Sequence, residues 1–240
     1  MRAAPRLAFW DALDKLSNNI TILQADDSYT GGINASNMTN RSEGLEAAAS
    51  AINPESLQAA KAAVAVGCEE HLRWAEIFSR RLDTVDPPDL HKFARALALT
   101  MLGHLPTRPG TCPFCLQYGS DRSCRGCGYA LTHVRCDSDD SAFSQFIEAF
   151  QELGSVIYQD SDELRRPPTE AKGLLRISLL ASAEAAKQMR SDLSSASALQ
   201  FMERKVVYLD RMIGLLPLAI LSEETGERCR DVQKKLNDYW

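Results

Sequence analysis

A mainly α-helical chain is predicted: a multi-helix bundle of six to eight helices, interrupted by a small four-cysteine module with at most a short β-hairpin. Three observations carry this. Outside residues 106–137 apolar residues recur at the three-and-four spacing of a helix face. The 240 residues include 30 alanines and few β-branched runs, so propensity favours helix. Five of the seven cysteines, Cys112, Cys115, Cys124, Cys127 and Cys136, fall between 112 and 136, and such clustering marks a local chemical unit.

Taken in order, Phe9, Leu13, Leu16 and Ile20 predict a first helix over about 5–24. Residues 25–42 carry Gly31-Gly32 among many Asn, Asp, Ser and Thr residues, including the triplets at Asn34, Asn37 and Asn40, and read as a loop. Asn53-Pro54 opens a helix running to Leu82, with Leu57, Val64, Leu72 and Phe78 inward. Pro87-Pro88 breaks the chain before a helix over 89–104 carrying Leu90, Phe93, Leu97 and Met101. After the module, Phe143, Phe146, Ile147, Phe150, Leu153 and Ile157 share a stripe that packs in the core or against the module. Thr169 is expected to cap the next helix, Leu199 to Leu216 forms another, and Glu223 to Trp240 reads as an exposed helix whose Leu236, Tyr239 and Trp240 dock locally or onto a partner. The expected division is an N-terminal helical region (1–105), the module (106–137) and a C-terminal helical region (138–240), with the two helical regions able to share one core.

Composition narrows the function classes. The hydrophobic share of 45% and the 25% of charged residues suit a globular chain, and a net charge of −5 argues against a general nucleic-acid or anionic-membrane binder. The longest apolar run, Met212 to Leu221, is half the ~20 residues a spanning helix needs, and Pro217 interrupts it. The apolar start at Leu7 is cut by Asp11 and Asp14 before a signal segment can form, so a cytoplasmic location is expected. An odd cysteine count with two CxxC pairs favours metal binding in a reducing compartment over disulfides.

The module reads Thr111-Cys112-Pro113-Phe114-Cys115, then eight residues, then Cys124-Arg125-Gly126-Cys127-Gly128-Tyr129. Two thiolates two residues apart hold one ion if the backbone between them turns tightly, and Gly126 and Gly128 permit the positive φ such a turn needs. Four sulfurs from two turns give the tetrahedral thiolate set that suits zinc; iron, or an iron–sulfur cluster, is the alternative the same sulfurs allow. Over residues 105–137 the segment resembles zinc-ribbon and rubredoxin-type double-knuckle modules. That resemblance implies a metal site, usually structural, and no particular function. The expected ligands are Cys112, Cys115, Cys124 and Cys127, with Cys136 and His133 as possible substitutes; weak alternation over 129–134 suggests one short strand.

Cys-Pro-Phe-Cys also looks like a glutaredoxin-type dithiol, but the Pro-rich stretch before it is not the buried strand that chemistry needs. Arg108, Arg122, Arg125 and Arg135 against Asp121 give the module a side-chain charge of +3, which zinc with four thiolates cuts to near +1. Nucleic-acid binding through these arginines is therefore the second reading. No Glu stands three residues before His71, His91, His104 or His133, so a ferritin-like Glu-x-x-His site is missing; Glu69-Glu70-His71 reads as a solvated helix face. Cys68 and Cys229 read as core thiols, and no phosphate loop or nucleophile elbow occurs. With a metal signal and no catalytic constellation, the expected function is a non-enzymatic zinc-binding adaptor, accessory or regulatory subunit that works through a protein partner.

Overall fold

The computed structural model describes residues 35–119, 124–160 and 166–240, with side chains from residue 43 onward. The predicted helix over 5–24 lies outside them. The chain divides into two units, Met1–Thr39 and Asn40–Trp240, and the first contributes only the opening of one helix to the described residues. Among these residues nine helices and no strand occur: α1 (Ala35–Ser50), α2 (Pro54–Leu82), α3 (Leu90–Gly103), α4 (Pro113–Tyr118), α5 (Gly128–His133), α6 (Ala142–Gln159), α7 (Pro168–Asp192), α8 (Ala198–Gly214) and α9 (Glu223–Tyr239). None is long and apolar enough to cross a membrane.

Local chemistry accounts for most boundaries. Asn53 caps α2, its side chain accepting from the Ser56 N–H at 2.7 Å, and Pro54 fills the first turn where no donor is needed. Ser197 and Gln200 form a reciprocal capping box on α8. Three expectations are corrected. Residues 35–42, predicted as loop, belong to α1, because the alanine-rich 45–49 stretch supplies a nucleus that extends toward the N-terminus. Thr169 lies inside α7: Pro167 stands at the cap and offers no side-chain hydrogen bond. The predicted short strand at 129–134 is the helix α5; six residues of weak alternation do not separate the two periods.

Within Asn40–Trp240, α2 packs along α7 and α6 along α9, with α3 and α8 linking the two pairs. Ala60, Val64, Cys68, His71, Ala75 and Leu82 form the buried stripe of α2, and Ala171, Leu175, Ser178, Ser182, Ala185 and Ala186 face inward from α7. So many small residues let the two axes approach closely. The terminal helix keeps a polar face exposed and docks its other face locally: Leu236 and Tyr239 are buried, together with Thr225, Cys229 and Val232. Buried residues from Leu45 to Tyr239 belong to a single cluster. Cys68 and Cys229 are in it, as expected of core thiols.

His71, expected on a solvated face, is 1% exposed. Neither ring nitrogen finds a hydrogen-bond partner among the described residues. Burial, reinforced by His104, holds its pKa at about 4 against an ordinary 6.5. Between those values the unfolded chain takes up a proton that the native chain refuses, so stability is complete above 6.5 and falls as the pH drops. The expected loss is on the order of 3 kcal/mol by pH 4. Urea midpoints at pH 7 and pH 4.5 check it: His71→Leu flattens the fall, and equal slopes in both proteins contradict the assignment.

Candidate metal centre

The first cysteine pair is set by the start of α4. A 3-10 turn at Pro109–Thr111 leaves Cys112 extended at the cap position, and Pro113 then opens the helix. Cys112 and Cys115 thus stand one turn apart on one face. Gln117 holds α4 to the α1–α2 corner, accepting from the Asn53 N–H at 2.7 Å and donating to the Ala51 carbonyl at 3.0 Å. Phe114, 1% exposed, packs against Tyr129 and Trp240.

The second pair is a turn closed by the Cys127 N–H on the Cys124 carbonyl at 3.1 Å. Gly126 takes φ +77°, the left-handed conformation expected of it. Gly128 is different. Its φ is not in that region, and an added Cβ would run into Ala48 of α1, so glycine there allows close approach of α5. Cys127 stands at the cap position of α5, and its side chain makes no cap hydrogen bond. Cys136 follows in the turn after α5, where the Ser141 hydroxyl donates to its carbonyl at 3.3 Å.

All five cysteines line one largely enclosed cavity, together with Lys205 of α8, Phe143 of α6 and Tyr239 of α9. Among the thiols, Cys112 and Cys136 are the ones that act on Cys115. Crowding and burial disfavour ionised thiols here. Contact with Cys115, then burial, pushes Cys112 well above its ordinary value. Cys115 is drawn down by Cys112 but pushed up harder by Cys136 and burial, to about 12. Burial also raises Cys127 against the pull of the Tyr129 and Ala130 amides.

Lys205, 2% exposed, donates to the Thr111 carbonyl at 3.2 Å. Burial lowers its pKa, and the groups that oppose this are Cys112, Cys115 and Cys136. A buried ammonium facing thiols without a carboxylate is costly unless those thiols carry charge. Among the described residues no three His, Cys, Asp or Glu side chains stand close enough to grip an ion as they are. Zinc–sulfur bonds of about 2.3 Å require the sulfurs to draw in to about 3.8 Å from one another. The donor chemistry nevertheless fits a thiophilic metal: soft sulfurs, with a buried cation beside three of them.

No protein-family model, curated protein or solved structure matches this chain.

Of the other residues singled out, His133 stacks its ring on Tyr129 at 4.3 Å between centroids, with Nδ1 2.7 Å from the Thr132 hydroxyl, and is not among the cavity's lining groups. Arg108 lines the cavity, Arg122 lies outside the described residues, and Arg135 pairs with Asp137 at 2.6 Å, which reduces the exposed basic footprint. Sequence reasoning misses Lys205, and it places Tyr239 only on a docking face, not in the cavity. For Lys205 a signal exists, since it shares the inward register of Phe201, Tyr208 and Leu209 on α8.

Proposed function

We propose that this is a non-enzymatic, zinc-binding helical protein that acts as an adaptor, accessory or regulatory subunit through protein contacts in a reducing, cytoplasmic setting. The observation that carries the metal reading is the convergence of five cysteines on one enclosed cavity with a buried lysine beside them. Four thiolates closing a tetrahedral site leave no open position for substrate, which suits a structural role. Bound there, the ion would tie α4 and α5 to the end of α9, where the Tyr129 hydroxyl donates to the Tyr239 carbonyl at 2.8 Å and Trp240 stacks on Tyr129. The adaptor reading draws support from the other chemistry-bearing side chains, since His71, His91, Cys68 and Cys229 are spent inside the core.

Metal analysis of the full chain, purified under reducing conditions, tests the site. About one zinc per chain in a colourless protein is expected. Iron with visible absorption reassigns the cavity to a cluster, and a chain that retains and takes up neither metal overturns the reading. Affinity capture of the tagged chain from its native cell tests the role: a partner in stoichiometric amount is expected, and repeated recovery of the chain alone contradicts it.

A further inference from the structure

Four thiolates close a zinc site, and this cavity is lined by five cysteines, so a disulfide between any two of them leaves three sulfurs, one short of closure. We propose that the cavity is a redox switch: a peroxide oxidises two of its cysteines to a disulfide, zinc leaves, and the contact between α5 and the end of α9 opens. The inference rests on the metal-binding reading above and holds whichever four sulfurs grip the ion.

The thiolate is the form that attacks a peroxide, and zinc binding keeps four sulfurs in that form. Cys115, Cys124 and Cys136 are half-buried, which gives a molecule as small as hydrogen peroxide a way in, whereas Cys112 and Cys127 are buried. The attacking sulfur forms an S–O bond as the O–O bond breaks, and the departing hydroxide takes a proton from solvent to become water. A second cysteine sulfur then displaces that oxygen: the S–S bond forms, the S–O bond breaks, and a second hydroxide is protonated to water. Two sulfurs have given up two electrons, one hydrogen peroxide has become two waters, and the zinc ion departs unchanged in charge. The pair at the start of α4 is placed for this step, with Cys112 at the cap position and Cys115 one turn on along the same face. Thiols of a reducing compartment restore the dithiol by exchange, so the change is reversible.

The fold gives metal release a consequence. Helices α4 and α5 have six residues each, too few to hold a helix by themselves. Both lean on aromatic contacts beside the cavity: Phe114, Tyr129 and Trp240 pack with ring centroids 6.0 to 6.2 Å apart, and the Tyr129 hydroxyl donates to the Tyr239 carbonyl. The turn after α5 is strained, because Val134 takes φ +67° and ψ 163°, a region that suits glycine and costs a β-branched residue. Parting of α5 from α9 relieves that strain and bares Phe114, Tyr129 and Tyr239, all buried in the closed form, next to the already exposed Leu131 and Val134 of the α5 segment. An aromatic surface of this kind, apolar with hydroxyl groups, is what protein partners favour.

The zinc-loaded full chain, titrated with hydrogen peroxide in the presence of a chromophoric chelator, tests the switch. About one zinc is expected to leave for each disulfide formed, and mass mapping of unreduced, alkylated peptides is expected to place that disulfide within residues 112–136. Amide hydrogen exchange in α5 and the last turn of α9 is expected to quicken about tenfold on oxidation while α2 and α7 keep their protection, and dithiothreitol with added zinc reverses it. Zinc that stays bound after the disulfide forms, thiols carried to sulfonic acid without a disulfide, or a disulfide to Cys68 or Cys229 overturns the proposal. Unchanged exchange in α5 after zinc has left overturns its opening step. A chain that never holds zinc overturns the metal reading itself, a separate result.

Discussion

Replacing Asp160 by alanine is expected to cost about 2–4 kcal/mol of stability, because it leaves two buried donors without the charged acceptor they share. Asp160 follows α6, and one carboxylate oxygen accepts from the Ser222 N–H at 2.8 Å and the Thr225 hydroxyl at 2.9 Å. The other lies 3.3 Å from Nε2 of His91, and both side chains are fully buried. One carboxylate therefore joins the end of α6 to the start of α9, with His91 of α3 beside it, and places negative charge at a helix N-terminus where the dipole favours it. Burial raises its pKa, but the Ser222, Thr225 and His91 interactions outweigh that and hold it below the ordinary 3.8. A depressed carboxylate contributes fully above its unfolded value, so this stabilisation persists to acid pH and is lost only as the pH falls below 3.8. Its window lies below that of His71, and the two effects separate on a pH series. Urea denaturation gives the size: Asp160→Asn, which keeps an acceptor without the charge, is expected to lose less than Asp160→Ala. A loss under about 1 kcal/mol in the alanine variant would show that Ser222 and Thr225 alone hold α9 in place.

How much of this was legible depends on how far each signal reaches along the chain. Asn53-Pro54 and the stripe of Phe143, Phe146, Ile147, Phe150, Leu153 and Ile157 are local, and α2 and α6 form where they predict, with Phe146, Leu153 and Ile157 buried. The docking of the terminal helix is legible only in part, because the helix is polar apart from a sparse stripe: Leu236 and Tyr239 dock locally, and with Cys229 and Val232 they repeat at the three-and-four spacing and form a buried face where α6 lies against them. His71 was misread for a related reason. Its neighbours Glu69 and Glu70 are solvent-facing, yet its own register, three residues after Cys68 and four before Ala75, points inward. The cysteine cluster was legible as a unit, and all five cysteines do line one cavity. The groups that close it from α8 and α9 lie tens of residues away, and no spacing within residues 106–137 encodes Lys205 or Tyr239. The assignment of His91 to Asp160 is likewise a tertiary fact, invisible until α3, α6 and α9 meet.

Lys205→Met is expected to move two measurements in opposite directions, and that opposition is its diagnostic value. In metal-free protein the ammonium is buried beside thiols that crowding and burial keep from ionising, so its desolvation is poorly compensated. A methionine of similar length removes the cost, while the Thr111 carbonyl loses its donor and returns part of the gain. A net gain of about 1 kcal/mol is expected from urea denaturation in the presence of a chelator, at the low end for replacing buried charge with apolar volume. With zinc bound to four thiolates the cluster carries a net −2 charge, and the ammonium facing Cys112, Cys115 and Cys136 becomes its nearest compensation. Removing a group that supports metal ligands in this way typically weakens affinity 10- to 100-fold, a loss of about 1.4–2.8 kcal/mol that competition with a chromophoric chelator reads directly. A variant that is less stable without metal and unchanged in zinc affinity would make Lys205 a brace for the Thr111 carbonyl. A variant that is more stable without metal but holds zinc poorly marks a cavity whose charges balance only when the metal is present.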